Sequence, residues 1–252
     1  MTDLAGRAGL VTGAGSGIGR ATALRLARAG AAVVVADVDE AAAAETVRLI
    51  TEAAGAAVGS IGDIADEADV SAMVELTLSH FGRIDFAHNN AGIMGSQRPL
   101  VDYSLDDFDR ILRVNLRGTF LCMQAELRVM LEQGHGAIVN TASEAALKGS
   151  AADAVYTASK HAVAGLTKTA ALEHARRGVR VNAVCPGVVL TGMMEAVAET
   201  NPAGYEKAER LMPIGRYGLP EEVAEAVLWL CSDASSLVTG HLLAVDGGWA
   251  AS

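Results

Sequence analysis

Tyr156 and Lys160 lie four residues apart in the stretch YTASK, and on a helix this spacing places both side chains on one face. The residues between them are small and would crowd neither group. An isolated tyrosine loses its proton near pH ~10, and an adjacent positive charge favours the phenolate. The pair could therefore make a tyrosine that exchanges a proton near neutral pH. A surface tyrosine packed over a lysine stem is the alternative, and so short a motif does not exclude it.

A glycine-rich stretch, TGAGSGIG at 12–19, follows the first predicted strand and begins the first predicted helix. Glycines at such a junction let the backbone turn tightly and approach a pyrophosphate at the helix N-terminus. The spaced glycines are Gly13, Gly17 and Gly19, and Ile18 replaces the third glycine of the strict G-x-G-x-x-G pattern. A tight turn without a ligand is the alternative, but the position after the first strand of a βαβ unit favours nucleotide binding.

Asp37 ends the second predicted strand, 18 residues after Gly19. A carboxylate at this place accepts hydrogen bonds from the adenosine ribose hydroxyls and repels a 2′-phosphate. Capping of the next helix is the alternative role, but Asp39 can fill it. Ser16 in the glycine loop offers no cation for a 2′-phosphate either. These residues predict NAD rather than NADP as the cofactor.

Short apolar runs alternate with longer amphipathic stretches along the chain. The predicted strands are 8–12, 31–36, 56–61, 84–89, 136–141, 179–184 and 241–246. The predicted helices are 18–29, 39–54, 66–80, 105–132, 155–176 and 220–231. Continuous Val, Ile and Ala runs indicate strands buried on both faces, and their alternation with helices indicates right-handed βαβ units. We predict an α/β, single-domain, Rossmann-type doubly wound fold over 1–252, with about seven parallel strands and helices on both faces. The long irregular stretch 187–219 is expected to be a substrate lid.

The composition argues against several kinds of partner. The formal net charge is −10, whereas nucleic acids and anionic membranes both require a basic surface. No apolar run reaches the length of a membrane span, and the N-terminal stretch lacks a secretory signal pattern. Cys122, Cys185 and Cys231 are odd in number and widely spaced, as expected of reduced thiols in the cytoplasm. The histidines show no metal-ligand spacing, so no metal is expected.

Further motifs follow in order along the chain. They are NNAG at 89–92, Asn115 within RVNLRG, Ser143 after the fifth strand, CPG at 185–187 and VDGG at 245–248. Together with the glycine loop and YTASK, they make the chain resemble the short-chain dehydrogenases/reductases along its whole length. Each motif alone is modest, but their joint order and spacing are very specific.

The resemblance implies a role for each of four catalytic residues. Tyr156 would be the general acid/base that gives a proton to a carbonyl oxygen or takes one from an alcohol. Lys160 would lower the pKa of Tyr156 and hold the nicotinamide ribose hydroxyls. Ser143 would stabilise charge that develops on the substrate oxygen. Asn115 would use a helix irregularity to hold a water molecule that links Lys160 to solvent.

The resemblance also implies the contacts of NAD and an assembly. The expected cofactor-binding residues are Gly13, Ser16, Gly17, Ile18, Gly19, Asp37, Asp63, Ile64, Asn90, Gly92, Tyr156, Lys160, Pro186, Gly187, Val189 and Thr191. A homotetramer is expected, in which the long helices 105–132 and 155–176 pack against symmetry mates and the end at VDGGW forms a second interface.

The expected substrate is an uncharged, largely apolar secondary alcohol or ketone, and cyclic compounds are among the candidates. Apolar candidates for the pocket come from the lid and from the segment after Asn90: Ile93, Met94, Val188, Leu190, Met193, Met194, Leu211 and Met212. The methionines fit core or subunit contacts equally well. The lid also contains the basic residues Lys207, Arg210 and Arg216, which are interleaved with Glu206 and Glu209, as is typical of a solvated helix face. No arginine pair near Ser143 or Tyr156 would grip a carboxylate or phosphate.

Two other features fit a structural role better than a functional one. Glu144, directly after Ser143, is expected to be solvated rather than to face the substrate. Arg110, Arg113 and Arg117 form a stripe that could dock an acidic carrier protein. We expect the stripe to be solvated or to face a subunit, because the acidic residues among these arginines offer partners.

The leading function is an oxidoreductase that transfers a hydride between NAD(H) and a secondary alcohol or ketone. One alternative is a 3-oxoacyl-thioester (acyl carrier protein) reductase. Such enzymes usually prefer NADPH, which conflicts with Asp37, and an acidic carrier would meet a chain of net charge −10. A catalytically silent NAD-binding regulator is an alternative of another class, but a pure binder needs no acid/base set.

Overall fold

The structure is a computed structural model of the chain, and it describes residues 3–192, 209 and 212–251. The strands are β1 Ala8–Thr12, β2 Ala32–Asp37, β3 Ala56–Ile61, β4 Phe86–Asn89, β5 Gly136–Thr141, β6 Val179–Pro186 and β7 Leu242–Val245. They form a seven-stranded sheet in the order β3-β2-β1-β4-β5-β6-β7, and neighbouring strands run parallel. The predicted parallel α/β fold is confirmed. The chain reverses its direction of travel across the sheet between β1 and β4, and in open sheets a ligand binds beyond the carboxyl ends at such a reversal.

Seven α-helices cover the sheet within the described residues. They are α1 Gly17–Arg28, α2 Glu40–Glu52, α3 Glu67–Phe81, α4 Leu105–Leu112, α5 Thr119–Gln133, α6 Ala154–His174 and α7 Pro220–Cys231. Asp39 caps α2 as predicted, because its carboxylate accepts a hydrogen bond from the Ala42 N–H at 3.0 Å. α3 ends at Gly82, whose φ of 73° is a left-handed conformation that glycine adopts without strain.

The five inner strands are buried on both faces, as their continuous apolar runs predict, whereas the edge strands β3 and β7 are partly exposed, because each has a neighbouring strand on one side alone. On one face α1 and α7 pack against the strands, and the core there includes Val11, Leu26, Val33, Phe86 and Val227. On the other face α3, α5 and α6 pack against the strands, and the core there includes Leu10, Val34, Val74, Met130 and Ile138. This double burial holds the carboxyl ends of the strands in fixed positions.

The predicted helix 105–132 is not one regular helix. α4 and α5 are separated by a π-helical segment, Arg113–Gly118, and this widened turn contains Asn115. Single π-helical turns occur often at functional sites, because they redirect a side chain without ending the helix. β6 also differs from its prediction, since it extends two residues further, to Pro186. In the described part of the chain, no helix has the length and apolar character needed to cross a membrane.

Candidate active site

A cavity of about 570 Å³ lies at the carboxyl ends of the strands and extends from the glycine loop to Tyr156. The structure brings nearly all of the predicted site residues to its wall. Those that line it are Gly13, Ser16, Gly17, Ile18, Asp37, Asp63, Ile64, Asn90, Gly92, Ser143, Tyr156, Lys160, Pro186, Gly187, Val189 and Thr191. Gly19 and Asn115 lie behind the wall instead. No described group of His, Cys, Asp or Glu side chains has the arrangement of a metal site.

The glycine loop forms a cradle that side chains would fill. Gly13 and Gly17 have φ values of +60° and +50°, in the left-handed region. A Cβ at Gly19 would lie 2.0 Å from the carbonyl oxygen of Gly13, which no real contact allows. Ser16 precedes α1 without capping it through its side chain, so the N–H groups of the first turn remain for an anionic ligand. These features fit the pyrophosphate of a dinucleotide.

The carboxylate of Asp37 is fixed beside the loop by backbone donors. Its Oδ2 accepts a hydrogen bond from the Gly15 N–H at 2.8 Å, and its Oδ1 accepts one from the Asp39 N–H at 3.0 Å. Each carboxylate oxygen has a further lone pair for a ribose hydroxyl. The adenosine end of the cavity therefore carries an oriented acceptor with negative charge.

Asp63 shows a contact that sequence reasoning missed. Arg113 lies at the start of the π-helical segment and forms an ion pair with the Asp63 carboxylate at 2.8 Å. Burial opposes the charged form of Asp63, but the Ala65 N–H and Arg113 hold its pKa below the ordinary value. The arginine stripe therefore has partners outside its own helix as well as the expected one, Asp107, which pairs with Arg110 at 3.0 Å. No motif connects Asp63 with Arg113 in sequence, so only the fold reveals the pair.

Asn115 supports the centre of the cavity from behind. Its amide exchanges two hydrogen bonds with the backbone of Ile93, at 2.8 and 2.9 Å, and donates a third to the Ser159 hydroxyl at 3.1 Å. A Cβ at Gly92 would lie 3.3 Å from both Asn115 Oδ1 and Lys160 Nζ. The expected helix irregularity is present at Asn115, while the proton relay through it stays a prediction.

Tyr156 and Lys160 share the face of α6 that borders the cavity. Lys160 Nζ lies 5.6 Å from the centroid of the Tyr156 ring and donates a hydrogen bond to the Thr141 carbonyl at 2.9 Å. Burial lowers the pKa of Lys160 to about 8 and raises that of Tyr156 to about 12. The protein groups alone therefore do not give Tyr156 the near-neutral pKa that the sequence suggested. Burial outweighs the hydrogen bond with Ser143, which lowers the Tyr156 pKa, and the carboxylates of Glu144 and Asp153 raise this pKa further.

Glu144 is not the solvated side chain that the sequence predicts. It begins a short 3₁₀ turn after Ser143, and its carboxylate folds back to accept hydrogen bonds from the Ser143 hydroxyl and the Ala145 N–H. The side chain is half-buried and lines the cavity. The tight turn directs the carboxylate inward, and the adjacency to Ser143 is the single sequence signal that could have indicated this.

The lid predictions have mixed outcomes. Ile93, Met94 and Val188 line the cavity as expected. Met212 is buried and packs towards Gly247 rather than on the cavity wall, so it takes the core role, one of the roles that the sequence left open. The expectations for the central lid lie outside the described residues, and they concern Met193, Met194, Glu206, Lys207, Arg210 and Leu211.

Comparisons with known proteins assign the chain to a family. Residues 13–250 match a family model described as enoyl-(acyl carrier protein) reductase. A 2,5-dichloro-2,5-cyclohexadiene-1,4-diol dehydrogenase from Sphingobium indicum is 46% identical over 100% of both chains. A cyclohexanol dehydrogenase from an Acinetobacter species is 45% identical over 95% of this chain and 93% of the relative. The crystal structure of levodione reductase matches with a TM-score of 0.94 and 39% identity, covering 98% of this chain and 99% of that chain.

The fold and the site thus define a nicotinamide-dependent oxidoreductase with a doubly wound parallel sheet. The chain belongs to the short-chain dehydrogenase/reductase family. The predicted family is confirmed, and so is the predicted reaction class, oxidation and reduction between a secondary alcohol and a ketone. Solved structures of other relatives contain NADP or NAD⁺, so membership of the family leaves the choice of cofactor open.

Proposed function

We propose that this protein is an NAD-dependent dehydrogenase that interconverts a neutral, cyclic secondary alcohol and its ketone. One observation carries the proposal: a continuous cavity joins the glycine loop and Asp37 to Ser143, Tyr156 and Lys160. A dinucleotide that lies on the loop would extend towards the acid/base pair. Relatives that act on cyclohexanol and on a cyclohexadiene diol support a cyclic substrate.

The preference for NAD rests on charge at the adenosine end. The Asp37 carboxylate is held by two backbone N–H groups, so it is not free to swing away from a 2′-phosphate. Loss of a charge-assisted hydrogen bond or creation of a charge clash is worth about 1.5–3 kcal/mol, which corresponds to tenfold discrimination or more. Ser16 supplies no compensating cation in the loop.

The proposed catalytic work of the chain is proton transfer and orientation. A bound nicotinamide cofactor would supply the chemistry that accepts or returns the hydride. In alcohol oxidation, the carbinol carbon loses a hydride and the hydroxyl loses a proton to the Tyr156 oxygen; ketone reduction reverses both transfers. Ser143 donates a hydrogen bond to the reacting oxygen, and the positive charge of Lys160 favours the phenolate state of Tyr156. Asn115 fixes the backbone at Ile93 through two hydrogen bonds, and Thr141 accepts the hydrogen bond that orients Lys160.

A 3-oxoacyl-thioester reductase is the second candidate, since the matching family model is described by acyl carrier protein chemistry. Two observations disfavour it. Asp37 opposes the phosphate of NADPH, and Arg110 and Arg113 are already paired with Asp107 and Asp63. A silent NAD-binding regulator is disfavoured because the acid/base set is intact.

The proposal includes a homotetramer in the cytoplasm and a single domain over 1–252. The surface of α4–α5 carries an apolar groove lined by Leu112, Leu116, Phe120 and Leu166, which suits a subunit contact. Three buried cysteines without disulfide partners agree with a reducing compartment. Light scattering at micromolar concentration tests the assembly, and a monomer would count against it.

The decisive experiment measures initial rates with cyclic, aliphatic and steroid secondary alcohols, each with NAD and with NADP. We expect turnover of cyclic alcohols with kcat/KM at least about tenfold higher for NAD. Equal kcat/KM values with NAD and with NADP would contradict the assignment of NAD as the preferred cofactor. Turnover of 3-oxoacyl thioesters with NADPH, in the absence of alcohol oxidation, would favour the second candidate.

A further inference from the structure

The substrate end of the cavity carries two carboxylates, and the binding of a simple apolar alcohol requires neither of them. Glu144 and Asp153 both line it near Ser143 and Tyr156. Among the described residues that line the cavity, Lys160 is the single cation, and its Nζ is directed to the Thr141 carbonyl. Ile93, Met94 and Val188 add apolar surface to the same cavity. A carboxylate in such surroundings favours ligands that donate a hydrogen bond to it.

The hydrogen bonds of Glu144 leave it with an unused acceptor. Its Oε2 accepts from the Ser143 hydroxyl and the Ala145 N–H. Within the described part of the chain, no protein group donates to its Oε1, although the residue is half-buried at the cavity wall. Asp153 differs, because its Oδ2 accepts from the Ser150 hydroxyl at 3.0 Å and its Oδ1 is inaccessible. Glu144 is therefore the carboxylate that a substrate can reach.

Productive binding of a substrate removes one of the hydrogen bonds that Glu144 accepts. A serine hydroxyl has one proton to donate. When Ser143 gives that proton to the reacting oxygen of the substrate, Glu144 loses a donor. A partly buried carboxylate that loses a hydrogen bond on binding weakens the complex, unless another donor replaces the lost one. A second hydroxyl group on a carbon near the reacting carbon is the donor that a neutral alcohol or ketone can bring.

We infer that Glu144 is a specificity-determining residue, which accepts a hydrogen bond from a second hydroxyl of the substrate and so selects diols or hydroxyketones over simple alcohols. The same carboxylate disfavours substrates that carry a carboxylate or phosphate near the reacting carbon. This inference rests on the proposed alcohol dehydrogenase function and narrows the neutral, largely apolar substrate expected from the sequence to one with a second hydroxyl.

The test compares kcat/KM for cyclohexanol, for cis- and trans-1,2-cyclohexanediol and for 2-hydroxycyclohexanecarboxylate, with NAD in excess. A hydrogen bond to a charged group corresponds to about 10- to 100-fold. We expect the wild-type protein to prefer at least one diol over cyclohexanol by about that factor. Glu144→Ala should bring the ratio close to one, lowering diol turnover and raising cyclohexanol turnover. Glu144→Gln, which keeps the shape, should raise activity on the carboxylate probe relative to cyclohexanol.

The control is Glu75→Ala, which removes an exposed carboxylate on α3 and should leave all ratios unchanged. NAD binding, followed by fluorescence, should be the same in all variants, because Glu144 lies at the substrate end. A wild-type ratio near one, or a diol preference that survives in both Glu144 variants, would overturn the inference while the proposed function stands. Turnover of none of the alcohols would overturn the proposed function and, with it, the inference.

Discussion

At the cofactor end of the cavity the chain presents mainly backbone, whereas at the substrate end it presents side chains. The glycine loop offers N–H groups at the start of α1, and even the Asp37 carboxylate is held by backbone donors. Around the reacting position the contacts come from the hydroxyl of Ser143, the phenol of Tyr156 and the carboxylate of Glu144. Binding at the cofactor end depends on the absence of side chains, whereas binding and reaction at the substrate end depend on the chemical type of the side chains.

This difference separates two ways in which the site can fail. A methyl group added at Gly19 collides with the backbone of the loop and displaces it, so affinity for the dinucleotide should fall. A change of one side chain at the substrate end should leave the dinucleotide bound and alter the reaction or the choice of substrate. The variants below test whether cofactor affinity and turnover can be lost separately.

The largest effect is expected for Tyr156→Phe, which removes one oxygen at the substrate end and keeps the ring. General acid–base catalysis is worth about 100- to 10,000-fold, so kcat should fall by that order. NAD affinity, measured by fluorescence titration, should change little. Lys160→Ala should damage both quantities, because its role is double. A Tyr156→Phe protein with wild-type rates would refute the assignment of the acid/base.

A substitution at the cofactor end should show the opposite pattern. Gly19→Ala places a methyl group 2.0 Å from the Gly13 carbonyl oxygen, and the loop must shift to accommodate it. Overpacking of this kind costs about 1–3 kcal/mol, so the Kd for NAD should rise by about 10- to 100-fold. Calorimetric titration measures this Kd.

The matched control for the loop variant is Gly165→Ala in α6. A Cβ at Gly165 meets no atom within 4 Å, and alanine suits a helix interior better than glycine. The control should bind NAD normally and unfold at the same or a higher temperature. Similar losses of NAD affinity in both variants would contradict this prediction, because the glycine loop would then tolerate an added methyl group as well as α6 does.

A smaller effect is expected for Asp37→Ala, which changes the choice between cofactors. Removal of the carboxylate ends the repulsion of a 2′-phosphate and the hydrogen bonds to the ribose. The ratio of kcat/KM with NAD to that with NADP should fall by about tenfold. The Asp39→Ala variant is the control, because it removes a neighbouring carboxylate that caps α2. An equal fall in both variants would point to general charge rather than to Asp37.

The two ends also differ in how far the sequence predicted them. Gly13, Gly17 and Asp37 could be assigned before the structure, because a tight strand–helix turn favours glycine and because Asp37 directly follows an apolar strand. β1, β3 and β5 begin and end at the predicted residues, since their apolar runs are bounded by turn-forming or polar residues. The fold could be predicted because the apolar runs of the inner strands agreed with burial in a parallel sheet.

The substrate end was harder to predict, because orientation there depends on tertiary contacts. The 3₁₀ turn after Ser143 directs Glu144 inward, although a glutamate in a loop is usually solvated. The pairing of Arg113 with Asp63 joins segments far apart in sequence. The high pKa of Tyr156 depends on burial, which no spacing between tyrosine and lysine encodes.

The smallest effect on turnover is expected for a buried residue beneath the cavity, Glu126. It lies on α5 with no exposure, and its Oε2 accepts a hydrogen bond from the Asn89 amide at 3.0 Å. Its Oε1 and the Asn89 Oδ1 have no hydrogen-bond partner among the described residues. Burial raises the pKa of Glu126 to about 8, so this side chain is protonated in the folded protein at neutral pH.

The raised pKa predicts a loss of stability as pH increases. The folded protein binds a proton at Glu126 that the unfolded chain releases above the ordinary glutamate pKa of 4.5. The contribution of this proton to the free energy of unfolding is therefore full below pH 4.5 and is lost as pH rises to about 8, with a slope of up to about 1.4 kcal/mol per pH unit. Glu126→Gln keeps the shape without a titrating group, so this slope should disappear while turnover stays unchanged.

Urea unfolding between pH 5 and pH 9 measures the effect as the difference between the wild-type protein and Glu126→Gln. Taking the difference cancels the titration of groups that both proteins share, such as Lys160. Glu132→Gln, at an exposed position of the same helix, is the control and should follow the wild-type curve. A Glu126→Gln protein whose stability falls with pH as steeply as the wild type would mean that Glu126 is ionised in the folded state. The Glu126 carboxylate would then need an ion-pair or hydrogen-bond partner for its Oε1, and the described residues around it provide none.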